Sequence, residues 1–291
     1  MIGQNQALNI GDFAMNVLPM EKKSLILNLL VEGSSVRATS RIADVSPVTV
    51  LKLLLEAGEK AKDLQDSQMV NLQVRFVQVD EIFSFIGKKQ KQLTPLDSEE
   101  FGDQYVFVAM DSETKLVPAF SVGKRTGAMA LSFMDELHYR IINRFQLSTD
   151  AFAPYFNVVD AVFGSDIDYG QIHKEYREDP KGERRYSPGK IIRVTIKPLI
   201  GNPVNKRIST SHIERQNLTI RMQMRRFTRL TNAFSKSLRY HKAAIALHFF
   251  FYNFVRIHES LRVTPAMEAK ITNRLWNFSD LLTWNTERIA A

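Results

Sequence analysis

Three carboxylates are placed where they could hold divalent cations: Asp80, Asp150 and Glu214. Asp80 closes the alternating run Val74-Arg75-Phe76-Val77-Gln78-Val79, whose period of two predicts a half-buried strand. Asp150 follows Phe145-Gln146-Leu147-Ser148-Thr149, a second short strand. Glu214 lies in Ser211-His212-Ile213-Glu214-Arg215-Gln216-Asn217, which reads as the first turn of a long helix. Two divalent ions about 4 Å apart need several hard oxygen ligands from different elements, because each ion must keep sites open for water and a phosphate oxygen. Since the last of the three acids opens a densely basic segment, the expected chemistry is metal-dependent and acts on nucleic acid.

The charge balance supports that expectation. Of 39 Lys and Arg and 31 Asp and Glu, the stretch from Lys181 to Lys242 holds 16 bases and two acids, Glu183 and Glu214; the remainder carries 23 bases and 29 acids. The net charge of +8 is therefore concentrated in one stripe, as counterion release from a polyphosphate rewards. No cysteine is present, which excludes disulfides and thiolate zinc ligands. Met1 to Leu18 lacks a basic start followed by an apolar stretch, so no signal peptide is expected. The longest apolar run, Ala243 to Phe251, is interrupted by His248 and is too short to span a bilayer. The expected setting is the cytoplasm, in association with the nucleoid.

The elements that must position the acids can be read in outline. Residues 1–68 are expected to be all-helical, with Glu21 to Val31 a first helix stopped by Gly33. Ser34 or Ser35 caps a second helix through Ala43, packed by Val36, Thr39 or Ser40, and Ile42. Ser46 then caps a third helix, with Pro47 at its first position, running from Val48 to about Ala61. This is a helix-turn-helix pattern in which Val48, Thr49 and Lys52 would face base edges, with Arg37 and Arg41 near phosphates. Strands are expected at Val74 to Val79, Ile82 to Gly87, Gln104 to Met110 and Leu116 to Val122. Helices follow at Ala128 to Asn143 and around Tyr155 to Phe163, flanking the strand that ends at Asp150. Gly164 to Gly189 is polar and loop-like, and Ile191 to Ile196 returns as a strand. The fold class expected is α/β, an RNase H-like mixed-sheet catalytic domain over residues 69–240. An all-α helix-turn-helix domain over 1–68 precedes it, and a C-terminal helical segment over 241–291 follows.

Four segments carry a family resemblance: Val79-Asp80-Glu81; Leu147-Ser148-Thr149-Asp150; Ser209 to Asn217, continuing through Arg221-Met222-Gln223-Met224-Arg225-Arg226-Phe227; and Tyr252 to Leu261 with Thr264-Pro265-Ala266. On these the chain resembles the DDE transposases of bacterial insertion sequences, which share the RNase H-like fold with retroviral integrases. The resemblance spans about Val36 to Ala269. Some relatives carry a cysteine-bearing zinc module near the N-terminus, and this sequence has none. The resemblance implies that Asp80, Asp150 and Glu214 are catalytic and hold two Mg²⁺ (or Mn²⁺) ions. It further implies binding to double-stranded DNA, both element ends and target, with Arg221 and Asn217 on the Glu214 helix toward that DNA, and a homo-oligomer, dimer or higher, on it; Arg37, Thr49 and Lys52 are expected at DNA from the helix-turn-helix pattern, and Arg225 and Arg226 from the basic stretch after Glu214. Arg221 falls two helical turns after Glu214 and Asn217 one turn after it.

Other residues have plainer readings. Glu81 should point to the opposite sheet face from Asp80, and Asp111 sits in a turn, so both are expected to be structural. His212, alone beside a helix start, reads as a hydrogen-bonding group rather than a ligand. Phe249 to Tyr252 reads as a packing surface, and Arg256 and His258 as braces for the final helices. Two rival classes keep part of the pattern: an RNase H-like DNA nuclease or resolvase without strand transfer, and a helix-turn-helix regulator with no need of the acids.

Overall fold

The computed structural model describes residues 17–177 and 190–284. The first nine residues of the basic stripe, Lys181 to Gly189, lie outside the described residues. No described helix is long and apolar enough to cross a membrane.

The second and third N-terminal helices form where their caps place them. Helix α1 is Met20–Val31 and α2 is Val36–Ile42, the latter started by the Ser35 hydroxyl accepting from the Ala38 N–H at 3.1 Å. In α3, Pro47–Gln68, Ser46 accepts from the Thr49 N–H at 3.1 Å and Pro47 occupies the first turn, where its missing N–H costs nothing. Helix α3 runs seven residues past the expected end at Ala61. Its apolar face continues through Ala61 and Leu64 against a later helix, α7 (Leu238–Phe250), and buried Gln65 donates to the Ala246 carbonyl at 3.1 Å. The two backbones approach closely at Gly58, where a Cβ would stand 2.4 Å from the Ala243 carbonyl oxygen.

A six-stranded mixed sheet, in the order β3-β2-β1-β4-β5-β6, forms the centre of the molecule. Strands β1 (Phe76–Ile86), β2 (Gly102–Asp111) and β3 (Ala119–Gly123) are antiparallel. After helix α4 (Gly127–Arg140), β4 (Gln146–Thr149) pairs parallel with β1. After α5 (Tyr155–Phe163), β5 (Asp168–Tyr176) pairs parallel with β4, and β6 (Ile191–Ile200) closes the sheet antiparallel to β5. Helix α6 is Ser211–Gln223. The period of two along β1 assigns the faces. Gln78 and Ser84 meet α6 and α7, through the Gln78 side-chain oxygen on the His212 and Ile213 N–H groups and a Ser84–His241 contact at 3.1 Å. Glu81 meets Tyr155 of α5 on the other face. The result is the α/β, RNase H-like layout of a mixed sheet flanked by helices. One apolar core runs from Ile26 and Leu27 through Val77, Val79 and Phe107 to Phe250 and Leu281.

Four local expectations are corrected. The runs Val74 to Val79 and Ile82 to Gly87 are one strand, because the alternation passes through Asp80-Glu81 with no Gly or Pro to break it; Asp80 is mid-strand rather than terminal. Gly164 to Gly189 is not all loop, since β5 occupies 168–176; its polar sequence reflects pairing on both edges and a face on a polar cleft. Strand β3 begins at Ala119 rather than Leu116, and the backbone of Val117 is instead served by buried Asn253, which bonds both its N–H and its carbonyl at 3.0 Å. Finally, α6 stops at Gln223, so Arg225 and Arg226 lie in a short 3₁₀ turn and not on a continued helix.

Candidate functional site

The end of β4 creates the site. Thr149 is the last β4 residue and pairs with Val79, so beyond that point β1 continues without a neighbour on that edge. Asp150 follows directly and turns the chain, its carboxylate accepting from the Phe152 N–H at 3.0 Å. With no strand separating the two sheet faces here, Asp80 on the α6 side and Glu81 on the α5 side border the same gap. One carboxylate oxygen each from Asp80, Glu81 and Asp150 lie within 4.8 Å of one another. The expectation that Glu81 is kept apart by strand alternation is thereby corrected: alternation separates neighbours only while the sheet is continuous.

Helix α6 forms the opposite wall of a cleft of about 660 Å³. Its first turn is held to the sheet by Gln78, whose side-chain oxygen takes two N–H groups that an isolated helix would leave unpaired. That anchoring brings Glu214, Asn217 and Arg221, at i, i+3 and i+7 on one helix face, into the cleft lining. Asn217 is buried and donates to the Asp80 carboxylate at 2.8 Å, so it faces the acids rather than an outside surface. Glu214 faces the cleft but is held away from the three-acid cluster, bonded by Lys174 of β5 and by the Thr210 hydroxyl at 2.5 Å.

Electrostatics distinguish the acids. Burial pushes Asp80 up to about 7, and the neighbouring charges of Glu81, Asp150 and, more weakly, Glu214 add to the shift. Glu81 is raised by burial and by Asp150, against the opposing effect of hydrogen bonds from Tyr155 and Arg125. Arg125 bridges the group, with Nε 3.0 Å from Glu81, Nη2 3.5 Å from Asp150, and its guanidinium 3.9 Å over the Phe152 ring. Asp80, by contrast, has no ion-pair partner among the described residues. Burial lowers the Arg221 pKa, as does Arg229, while Asp80 opposes the shift. A set of hard carboxylate oxygens that cannot all ionise comfortably without added positive charge fits Mg²⁺ or Mn²⁺. Asp80 and Asp150, with Glu81 or a released Glu214, are the residues that could hold such ions.

The other sequence-derived positions are placed as follows. Arg37, Val48 and Lys52 are exposed at the second and third helices, while the Thr49 hydroxyl contacts that of Ser46 at 2.9 Å within the helix cap. Arg225 is exposed. Arg226 is turned inward, with Nη1 3.3 Å from Ser235, and burial lowers its pKa to about 10. Asp111 closes a turn by accepting from Glu113, Thr114 N–H and the Thr114 hydroxyl. His212 lies beside Lys115, outside the acid cluster. Glu81 was read from sequence as structural, and Arg125 and Lys174 were not singled out. The tandem acids Asp80-Glu81 were a usable signal for the first, but the other two arrive through loop geometry and a strand with no apolar pattern.

Residues 200–255 match the family described as IS1 transposase, a segment that includes Glu214, Asn217 and Arg221. No curated protein matches the chain significantly in sequence. Among solved structures, the chain is similar to a piggyBac transposase in a synaptic complex with hairpin DNA, at 14% identity and a TM-score of 0.30. That match covers 71% of this chain and 51% of the other, so the chain spans about half the length of that transposase. The family match associates the chain with the transposase superfamily.

Proposed function

We propose that this protein is a DDE-type transposase that binds the ends of a mobile DNA element and carries out metal-dependent strand cleavage and strand transfer. The observation that carries this reading is the convergence, in one cleft, of Asp80 from β1, Asp150 from the end of β4 and the Glu214 face of α6. In this reading Asp80 and Asp150 hold Mg²⁺ or Mn²⁺ and Glu214 completes the ligand set. Bound ions supply Lewis acidity, making water or a DNA 3′-hydroxyl a better nucleophile and stabilising the departing 3′-oxygen in an in-line displacement.

The chain's own residues do the positioning. Asn217 fixes the Asp80 carboxylate through one N–H, and Arg125 fixes Glu81 and Asp150 relative to each other. Arg221, which lines the same cleft, is assigned to a phosphate of the bound DNA. Exposed Arg37 and Lys52, with Thr49 between them in the helix-turn-helix, are assigned to element-end recognition, and exposed Arg225 to duplex phosphate. Residues 1–68 would then supply specificity and residues 69–240 chemistry, with two or more copies coupling two ends.

The test is incubation of the protein with duplexes carrying the DNA that flanks its gene, in Mg²⁺, together with a supercoiled target. Cleavage that exposes a 3′-hydroxyl, followed by joined products, is expected. Cleavage without joining would favour a nuclease, and metal-independent binding with no cleavage would favour a regulator.

A further inference from the structure

Each wall of the acid cleft carries a cation already engaged by a carboxylate. Arg125 is shared by Glu81 and Asp150, and Lys174 binds Glu214. The Lys174 side chain is largely enclosed, at 17% exposure, while its Glu214 partner is 45% exposed. Lys174 also reaches the Thr210 hydroxyl, at 3.4 Å, at the start of α6. It comes from β5 and shares its sheet face with Ile172, both lining the same cleft as Arg125. Glu214 therefore has two competing uses for its charge: the ion pair seen here, and contact with a cation held by Asp80 and Asp150.

Building on the proposed metal-dependent function, we infer that Lys174 is a positioning residue with two alternating partners: Glu214 when the cleft lacks a divalent ion, and a backbone phosphate of the DNA strand when the ion is present. An ion recruiting Glu214 takes the carboxylate from Lys174. The freed ammonium cannot remain enclosed without a counter-charge, because an unpaired buried ion is costly. A phosphodiester drawn into the same cleft supplies that charge, so ion binding and phosphate binding are coupled through one lysine. No covalent bond is made or broken in this exchange; only the anionic partner of Nζ changes.

The inference predicts effects of opposite sign from a single substitution. In Lys174→Gln, Glu214 is released in advance, and Mn²⁺ measured by calorimetry on DNA-free protein should bind about tenfold tighter than in the unsubstituted protein, as expected for removing one nearby cation. Affinity for a labelled duplex, read by fluorescence anisotropy, should be unchanged in EDTA but should fall about tenfold in Ca²⁺, where binding proceeds without cleavage. Lys174→Arg should restore most of the Ca²⁺-dependent affinity. A lysine that only braces the fold would shift both duplex affinities together, with no gain in Mn²⁺ binding. Either that result, or unchanged Mn²⁺ affinity in Lys174→Gln, would overturn the exchange while leaving a metal-binding cleft intact. Absence of Mn²⁺ binding in the unsubstituted protein would remove both the exchange and the functional reading on which it rests.

Discussion

Asp66 of α3 and Glu136 of α4 meet at Arg140 much as Asp80, Glu81 and Asp150 meet at the end of β4, yet the two groups of acids are neutralised differently. Buried Arg140 places Nη2 2.6 Å from both Asp66 and Glu136 and turns Nη1 to the carbonyls of Gln65 and Met69. Lys62 adds a second cation, 2.5 Å from Asp66 and 3.7 Å from Glu136. Two acids thus face two cations, and the group closes on itself. In the cleft, Glu81 and Asp150 share one arginine, Glu214 has one lysine, and Asp80 has an amide. A cluster that satisfies its charges internally ties elements together. One that leaves a buried carboxylate raised to about 7 retains a need for positive charge from outside.

Substitution should separate the two groups most sharply. Asp80→Asn, Asp150→Asn and Glu214→Gln keep side-chain size but remove the charge that holds an ion. Each should reduce strand cleavage by about three orders of magnitude or more, with combined variants no worse than single ones because the groups act as a unit. A single-turnover cleavage assay checks this, and near-normal cleavage by any one variant removes that residue from the catalytic set, with Glu81 the next to examine. Arg140→Ala should do the reverse. Losing the buried guanidinium leaves Asp66 and Glu136 to Lys62 alone and takes a donor from the Gln65 and Met69 carbonyls; this should destabilise the fold by about 1–3 kcal/mol in denaturant titration, while the cleavage rate per folded molecule stays unchanged.

A smaller effect follows from proton linkage. Asp80 has its pKa raised in the folded state, from 3.8 to about 7. In that window the native state binds the extra proton, so this carboxyl's contribution to stability is full below about pH 4 and is lost as pH rises through about 7. Thermal unfolding without divalent ions should therefore show stability falling over this range by a few kcal/mol, and Asp80→Asn should flatten the fall. Mg²⁺ or Mn²⁺ at about 100 times its dissociation constant should return roughly 2.7 kcal/mol above pH 7, where Asp80 is ionised and binds the ion best. Equal stabilisation of Asp80→Asn by the ion would place the metal elsewhere.

How far these differences could be read in advance depended on whether a residue's neighbours were local. The Ser46-Pro47 cap and the span Tyr155–Phe163 were legible because capping residues and apolar spacing act within a few positions. The mixed sheet was legible from the order of its alternating runs. Strand β5 was not, since His173, Lys174 and Glu175 have no apolar alternation and are ordered by two neighbouring strands. Glu81 was assigned to the wrong environment because alternation says which face a side chain takes but not where an adjacent strand stops. Arg226 gave no sign in sequence that its guanidinium would turn in toward Ser235.

The smallest expected effects lie on the exposed surfaces. Thr49→Ala with Lys52→Ala should reduce discrimination between flanking-end and random duplexes by about tenfold in competition binding, and unchanged discrimination would assign both residues to helix capping and packing. Arg225→Ala should weaken all duplexes alike and lower the slope of log affinity against log salt by about one. Arg226→Ala should leave that slope unchanged, its cost appearing in stability instead.

The central claim, that the cleft retains uncompensated carboxylate charge in order to hold a divalent cation, is tested most directly by Mn²⁺ binding followed by electron paramagnetic resonance at pH 7.5. Saturable binding is expected in the unsubstituted protein and in Glu136→Gln, and its loss in Asp80→Asn and Asp150→Asn. Undiminished Mn²⁺ binding in both cleft variants would contradict the claim.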